Sequence, residues 1–261
     1  MVDEAWASPG SVLDLFLQSF KVGEGTLRFL NHLVIITMDA QAFAYCSSLH
    51  SHCIHPSTFA DCFAPRIPNH NTLSWKRNNV LLDVIKLDYN IIFTEADVMW
   101  LRSPLSNFKP NPELSISCKV AGDGNGHTDY VQDGGLFFLK SDEITSQFLQ
   151  QWRLMKFLYP NPQVDESPCE TITWNQDLVN WLGFRVNFVD TSYFGGFCHL
   201  NENRLGDVYT MHANCCDGLQ SKVHDLRLLL EDWINFRAQS SQNNTSKPMV
   251  LQWRTPQQCR G

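Results

Sequence analysis

The sequence predicts a single α/β domain with a mostly parallel sheet and helices on both of its faces. Short apolar runs rich in β-branched residues alternate with helix-like segments, which is typical of parallel strands buried between helices. The chain has 261 residues, the size of one large domain. Hydrophobic residues make up 43% and charged residues only 18%, a composition that excludes an intrinsically disordered chain.

The predicted elements follow one another in a regular order. Ser8-Pro9-Gly10-Ser11 precedes a wide apolar face and predicts a capped helix over about 10–21. The apolar run at 33–36 predicts a buried strand, 40–50 is helix-like, and the Pro, Asn and Asp content of 55–71 indicates irregular structure. Further helices are predicted over about 73–87, 142–158 and 173–182, and further strands over about 91–94, 114–117, 136–139 and 184–189.

The folded domain is assigned to residues 1–238 and a polar C-terminal tail to residues 239–261. The tail holds two overlapping Asn-x-Ser/Thr sequons within 243–246, which fits a surface loop of a secreted or lumenal protein.

The charge balance limits the kinds of partner. The chain has 27 acidic and 20 basic residues and a net charge of −7, too acidic for a protein whose main partner is the phosphate backbone of nucleic acid. A local site can still bind a nucleotide-sized ligand. No window approaches the roughly 20 uninterrupted apolar residues of a membrane span, and the N-terminus lacks the layout of a signal peptide. We therefore expect no nucleic-acid partner and no membrane segment in this chain.

The nine cysteines favour an oxidising compartment, since none of them forms a CxxC pair. Their odd number requires at least one thiol that is free or pairs with another chain. The segment 46–53 has a zinc-like arrangement of cysteine and histidine, but a local disulfide on a buried helical face explains it more simply. Adjacent Cys215 and Cys216 cannot easily bridge each other, and Cys198 is one candidate partner.

Two carboxylates directly follow the predicted strand at 91–94. Glu95 and Asp97 are spaced i, i+2, and ligands of open α/β sheets bind beyond the carboxyl ends of the strands. Hard oxygen ligands suit Mg²⁺ or Mn²⁺, which can bridge protein carboxylates and a diphosphate. An acid-x-acid pair after a strand is also typical of a turn or a helix cap, and the residues alone leave both interpretations open.

Ordered blocks along nearly the whole chain point to one family. Thr94-Glu95-Ala96-Asp97-Val98-Met99-Trp100 is close to a Thr-Asp-Ala-Asp-Val-Met-Trp signature, and Trp75-Lys76-Arg77 precedes it on the preceding helix. With these blocks the chain resembles the plant nucleotide-diphospho-sugar transferase family, grouped with glycosyltransferase family 77. Further matching blocks are Glu4-Ala5-Trp6-Ala7, Asp133-Gly134-Gly135, Asn175-Gln176-Asp177-Leu178-Val179-Asn180, Tyr193-Phe194-Gly195-Gly196-Phe197-Cys198, Met211-His212-Ala213-Asn214-Cys215-Cys216 and Lys222-Val223-His224-Asp225-Leu226-Arg227.

The resemblance implies a GT-A fold, a Rossmann-like sheet that binds a nucleotide sugar through Mn²⁺ or Mg²⁺. It further implies transfer of a pentose, xylose or arabinose, from a UDP-sugar donor with retention at the anomeric carbon. The implied acceptor is a cell-wall polysaccharide or a hydroxyproline-rich glycoprotein. Members of this family are type II membrane proteins of the Golgi, so the resemblance places the domain in the Golgi lumen.

The resemblance also assigns the donor and metal residues. Asp97 is expected to coordinate the cation directly, Glu95 to lie near the ribose or reach the metal through water, and His212 to be a further metal ligand. Lys76 or Arg77 is expected to neutralise the diphosphate.

The predicted catalytic residues are Asp177 and Gln176, at the start of a helix. Asp177 is the candidate that stabilises positive charge on the sugar ring; its alternative is a helix-N-terminal acid that interacts with the dipole. Gly134 and Gly135 are expected to let the backbone approach the donor or acceptor closely, although a plain turn would use the same residues.

The chain departs from the family pattern in two places. Glu95 stands where the family has Asp, so its oxygens reach about 1.5 Å farther, and Glu95→Asp is expected to preserve or improve donor binding. The chain also begins without the anchor and the first strand expected before Glu4-Ala5-Trp6-Ala7. These departures support a rival hypothesis, a catalytically impaired paralogue that acts as a non-enzymatic carbohydrate-binding or assembly partner. A metal-dependent phosphohydrolase is disfavoured, because no second carboxylate-rich strand end is evident.

Overall fold

The computed structural model describes residues 1–59, 73–122, 128–158, 169, 176–198, 204–242 and 253–259. Over these ranges the chain forms six α-helices: α1 Val12–Val22, α2 Ala40–Leu49, α3 Leu73–Ile85, α4 Glu143–Leu158, α5 Gln176–Leu182 and α6 Leu219–Gln242. The first five confirm the predicted helices to within a few residues at each end.

Nine strands lie in three sheets within the part of the chain that the structure describes. The largest sheet has the order β3-β6-β5-β7, a second has the order β4-β9-β8, and β1 pairs with β2. The strands are β1 Ile35–Ile36, β2 Cys53–Ile54, β3 Ile91–Thr94, β4 Val98–Trp100, β5 Leu114–Gly122, β6 Thr128–Leu139, β7 Val186–Phe188, β8 Phe194–Gly196 and β9 Thr210–His212.

The α/β class and a mixed sheet are confirmed, but the parallel share is smaller than the alternation of elements predicted. β1–β2, β5–β7 and β8–β9 are parallel, whereas β3–β6, β5–β6 and β4–β9 are antiparallel. The difference arises mainly at β5 and β6, which the sequence predicted as short separate strands. Both are longer, and only residues 123–127 connect them, which is far too short for the crossover that a parallel pair requires.

Local sequence explains how the first helices begin. α2 begins at Asp39, whose carboxylate accepts a hydrogen bond of 2.7 Å from the Ala42 N–H, as expected of an N-cap. α1 follows Ser11 and buries seven of its eleven residues. It packs against α6 and β4, so the apolar face predicted from the sequence covers the strand that follows the two carboxylates.

The β3-β6-β5-β7 sheet lies between two apolar cores. Side chains alternate along its strands, so that Leu136 joins one core and Phe137 the other. The larger core contains α1, β4, β9 and α6 with Trp233 at its centre, and the smaller one contains α3, α4 and α5. Glu95 and Asp97 follow β3, where the chain passes from this sheet to the β4-β9-β8 sheet.

Four disulfides cross-link the described residues: Cys46–Cys53, Cys118–Cys169, Cys198–Cys215 and Cys216–Cys259. The local bridge over 46–53 is confirmed in place of a zinc site. Cys215 and Cys216 do bridge to separate partners, and Cys198 is one of them. The ninth cysteine, Cys62, and the sequons at 243–246 lie outside the described residues.

Both ends of the described chain contact the domain. Val2 lies beside β1, where its N–H donates to the Ile36 carbonyl at 2.9 Å. Residues 253–259 lie against α6, because the Asp225 carboxylate accepts hydrogen bonds from three backbone N–H groups of 257–259. The boundary between a domain over 1–238 and a tail over 239–261 stays a prediction. Within the described ranges, no helix has the length and apolarity of a membrane span.

Candidate functional site

Glu95 and Asp97 lie in the tight turn between β3 and β4. The Glu95 N–H donates to the Gly135 carbonyl of β6 at 2.9 Å, and the Ala213 N–H donates to the Asp97 carbonyl at 3.0 Å. The turn is therefore held on one side by β6 and on the other by the end of β9. Asp97 is almost fully buried, whereas the Glu95 side chain remains one-third exposed.

His212 completes a three-residue cluster with the two carboxylates. It ends β9, in register with Val98 of β4 and Gly196 of β8. Its Nε2 lies 3.1 Å from Glu95 Oε2 and 3.5 Å from Asp97 Oδ2. Ligand atoms of all three residues lie within 4.8 Å of one another, so the structure brings together the three predicted metal residues.

Gly135 makes room for the His212 ring. A Cβ at this position would lie 2.6 Å from Val98 Cγ2 and 2.9 Å from His212 Cγ, and Gly135 has a φ of +54°. Only glycine fits both requirements without displacing the histidine. The structure thus explains Gly135 by its contact with a candidate metal ligand, and the predicted contact of Gly134 and Gly135 with donor or acceptor stays a prediction.

Two cationic side chains approach the carboxylates. Lys222, in the first turn of α6, places its Nζ 2.5 Å from Asp97 Oδ2 and 5.0 Å from the centre of the Trp6 ring. Arg77 of α3 places Nη1 3.8 Å from Glu95 Oε1 and its guanidinium 5.4 Å from the centre of the Phe93 ring. The predicted role of Arg77 at the diphosphate stays a prediction.

Sequence reasoning missed Lys222 as a functional residue. The signal was present, since Lys222 opens one of the blocks that match the family and follows the His212 block along the chain. Trp6 packs against the larger core, and it also contacts Lys222.

The charges of the cluster shift the pKa values of its members. Burial alone would raise the pKa of Asp97, but His212 and Lys222 outweigh it and hold the pKa well below its usual range. Burial alone would lower the pKa of His212, but Asp97 and Glu95 outweigh it and raise the pKa to about 10. The two carboxylates thus favour the protonated form of His212, whereas a metal ligand must be the neutral imidazole.

The residues present fit a divalent cation. Two carboxylates and one imidazole are ligands that Mn²⁺ accepts, and Mg²⁺ favours the carboxylates. Asp97 Oδ1 is buried and has no hydrogen-bond partner among the described residues. A buried carboxylate oxygen without a partner is costly, and a cation bound there would remove that cost.

The comparison with known proteins decides the family. The family model described as nucleotide-diphospho-sugar transferase matches residues 28–226, about three quarters of the chain, and this range contains the whole cluster. The chain belongs to the nucleotide-diphospho-sugar transferase family. Its class of activity is glycosyl transfer from a nucleotide sugar.

Several other proteins are similar in sequence to this nucleotide-diphospho-sugar transferase. Two uncharacterized proteins of Arabidopsis thaliana are 34% and 33% identical to it, covering 99% and 91% of this chain and 68% and 73% of their own lengths. A UDP-galactose:fucoside alpha-3-galactosyltransferase of Dictyostelium discoideum is 29% identical over 92 residues, covering 33% of this chain and 13% of that protein.

Two solved structures resemble the transferase more distantly. One is a glycosyltransferase involved in the glycosylation of the major capsid of PBCV-1, with 12% identity and a TM-score of 0.45, covering 81% of this chain and 92% of that chain. The other is the glycosyltransferase GlyE of Streptococcus pneumoniae TIGR4, with 11% identity and a TM-score of 0.49, covering 95% of this chain and 64% of that chain. The family assignment rests on the sequence match alone.

The other predicted site residues of this transferase lie at two places. Lys76 precedes Arg77 on α3 and is half-buried. Gln176 and Asp177 are the first residues of α5, where both side chains are exposed. The catalytic role of Asp177 stays a prediction. The preceding Trp174 and Asn175 lie outside the described residues.

Proposed function

We propose that this protein is a retaining, Mn²⁺-dependent pentosyltransferase that uses a UDP-sugar donor. The sugar is xylose or arabinose, and the acceptor is a cell-wall polysaccharide or a hydroxyproline-rich glycoprotein. The observation that carries the proposal is the cluster of Glu95, Asp97 and His212 within 4.8 Å, flanked by Lys222 and Arg77.

The cluster is suited to stabilise the leaving group of glycosyl transfer. Cleavage of the bond to the anomeric carbon leaves negative charge on the diphosphate, which must be stabilised in the transition state. Asp97, His212 and Glu95 would hold a divalent cation, which supplies positive charge to the leaving group when it is bound. Lys222 and Arg77 would add two positive charges beside the two carboxylates.

The remaining roles follow the resemblance. Asp177 would stabilise the positive charge that develops on the sugar ring, and Gln176 would orient the sugar beside it. Both side chains are exposed at the start of α5, and a bound donor would have to reach them from the cluster. A Golgi-lumenal location is supported by the four disulfides, since disulfides persist in oxidising compartments.

Turnover of candidate donors tests the proposal. The protein is incubated with Mn²⁺ and UDP-xylose or UDP-arabinose, with and without arabinan, xylan and hydroxyproline-rich peptides as acceptors. Release of UDP is measured, and the anomeric configuration of the product is read by NMR. We expect release that EDTA abolishes and that Asp97→Asn reduces at least about 100-fold. The matched control is Glu143→Gln, an acid at the start of α4 outside the cluster.

Two results would contradict the proposal. Release of UDP that persists in EDTA would exclude the metal-dependent mechanism. Turnover of none of the donors by a folded protein would favour the rival hypothesis, a carbohydrate-binding or assembly partner without enzymatic activity.

A further inference from the structure

Lys222 occupies part of the candidate metal site. Its Nζ lies 2.5 Å from Asp97 Oδ2, the same oxygen that His212 Nε2 approaches to 3.5 Å. The Lys222 side chain is only 15% exposed. A buried ammonium therefore pairs with Asp97, the carboxylate that would also hold a divalent cation.

We propose that Lys222 is a stand-in for the cation at Asp97 and moves to the diphosphate of the donor when the cation binds. The proposal rests on the proposed function and names a positioning residue for the same site. Its consequence is that the cation and the nucleotide diphosphate bind cooperatively. The cation displaces Lys222 from Asp97, and the diphosphate gives the displaced ammonium a new anionic partner.

The first step of the argument is electrostatic. An ammonium and a divalent cation that share one buried carboxylate repel each other, and this repulsion is strong where water is largely excluded. A cation bound at Asp97 alone is therefore opposed by Lys222. A diphosphate carries enough negative charge to contact both the ammonium and the divalent cation. Once it is bound, the attraction of both cations to the diphosphate offsets their mutual repulsion.

The second step is the choice of side chain. Lysine is a compact charge on a flexible stem, so its ammonium can change partners while α6 stays in place. Trp6 offers the ammonium a ring face 5.0 Å away, an attractive contact that involves no carboxylate. The other cation, Arg77, approaches Glu95, with Nη1 3.8 Å from Oε1.

The third step is access for the incoming cation. Lys222 and His212 both approach Oδ2, whereas Oδ1 of the same carboxylate is buried without a hydrogen-bond partner among the described residues. A cation can thus engage Asp97 through Oδ1 before Lys222 leaves Oδ2. The exchange then needs no intermediate with an uncompensated buried carboxylate.

Calorimetric titration of Mn²⁺ tests the proposal without any measurement of activity. Mn²⁺ is titrated into wild-type protein and into Lys222→Met, first without nucleotide and then with saturating UDP. We expect the variant to bind Mn²⁺ alone about tenfold tighter, and to bind UDP in the presence of Mn²⁺ about tenfold weaker. These opposite signs are not expected of damage to the fold. Lys140→Met, a lysine at the end of β6, is the matched control.

Two results would overturn the proposal. If the Lys222→Met variant binds Mn²⁺ alone no more tightly than wild type does, Lys222 does not compete with the cation. Wild-type protein whose Mn²⁺ affinity is the same with and without UDP would exclude the coupling, and this second result does not depend on the folding of a variant. If wild-type protein binds no UDP at all, the proposed function fails, and the comparison of Mn²⁺ affinities still decides whether Lys222 stands in for the cation.

Discussion

Gly135→Ala is the substitution whose effect the structure defines most sharply. The new Cβ would lie 2.6 Å from Val98 Cγ2 and 2.9 Å and 3.0 Å from two atoms of the His212 ring. Overpacking of this kind costs about 1–3 kcal/mol, and the φ of +54° adds about 1–2 kcal/mol for a residue with a side chain. We expect Gly135→Ala to lose about 2–5 kcal/mol of unfolding free energy.

The assay is urea unfolding followed by circular dichroism, together with calorimetric titration of Mn²⁺ and UDP. Because the new methyl would press on the His212 ring, metal-dependent UDP binding should weaken more than the loss of stability alone explains. Gly183→Ala shares the positive φ (+65°) but has no described atom within 4 Å of its Cβ, and Gly206→Ala has neither constraint. Gly183→Ala should therefore cost about 1 kcal/mol and Gly206→Ala almost nothing. A Gly135→Ala protein as stable as Gly183→Ala, with unchanged UDP binding, would refute the contact between Gly135 and His212.

Three further predictions concern the C-terminal segment, the disulfides and the acid pair. Asp225 has a lowered pKa in the folded protein, since the effect of burial is outweighed by hydrogen bonds from residues 257–259 and a neighbouring histidine. Asp225→Asn should therefore be less stable than wild type at pH 7, by about 1–3 kcal/mol in urea unfolding. The difference in stability should shrink as the pH falls below about 4. A difference that grows in acid would contradict this sign. Loss of the Cys216–Cys259 bridge, which spans 43 residues, should destabilise the protein by about 4 kcal/mol. Loss of the Cys46–Cys53 bridge, which spans 7 residues, should destabilise it by about 2 kcal/mol. Equal losses of stability in thermal unfolding would contradict the loop-entropy argument. Glu95→Asp keeps the charge beside the buried acid and should preserve or improve Mn²⁺-dependent UDP binding in a calorimetric titration, and loss of binding would show that the longer side chain is required.

Local pattern was sufficient for α1 to α5 and for the strand before the acids. The apolar run at 91–94 and the acids after it needed no long-range information, and β3 has the predicted bounds. β5 and β6 were underestimated because the residues after 117 in β5 and before 136 in β6 are less apolar than the predicted segments 114–117 and 136–139. Their antiparallel pairing depends on the short connection at 123–127, a feature of chain length rather than of composition.

Short buried strands were missed for a different reason. β4, β8 and β9 have three residues each, too few for a period of two to be recognised. α6 could have been predicted, because Val223, Leu226, Leu230 and Trp233 follow helical spacing and are all buried.

The candidate site was predicted by resemblance more than by residue pattern. Nothing in the spacing along the chain brings His212 to Asp97, since their contact depends on the pairing of β4 with β9. Lys222 was missed because a lysine in the first turn of a helix carries no local signal for a buried contact with a carboxylate.

The most direct test of the central claim is calorimetric titration of UDP into the purified protein, with MnCl₂ and then with EDTA, alongside Asp97→Ala. If Glu95, Asp97 and His212 hold a cation for the diphosphate, UDP binds in Mn²⁺ and does not bind in EDTA, and the Asp97→Ala variant does not bind in either. Binding of UDP to Asp97→Ala at wild-type affinity in Mn²⁺, or the absence of binding to folded wild-type protein in any condition, would contradict the claim.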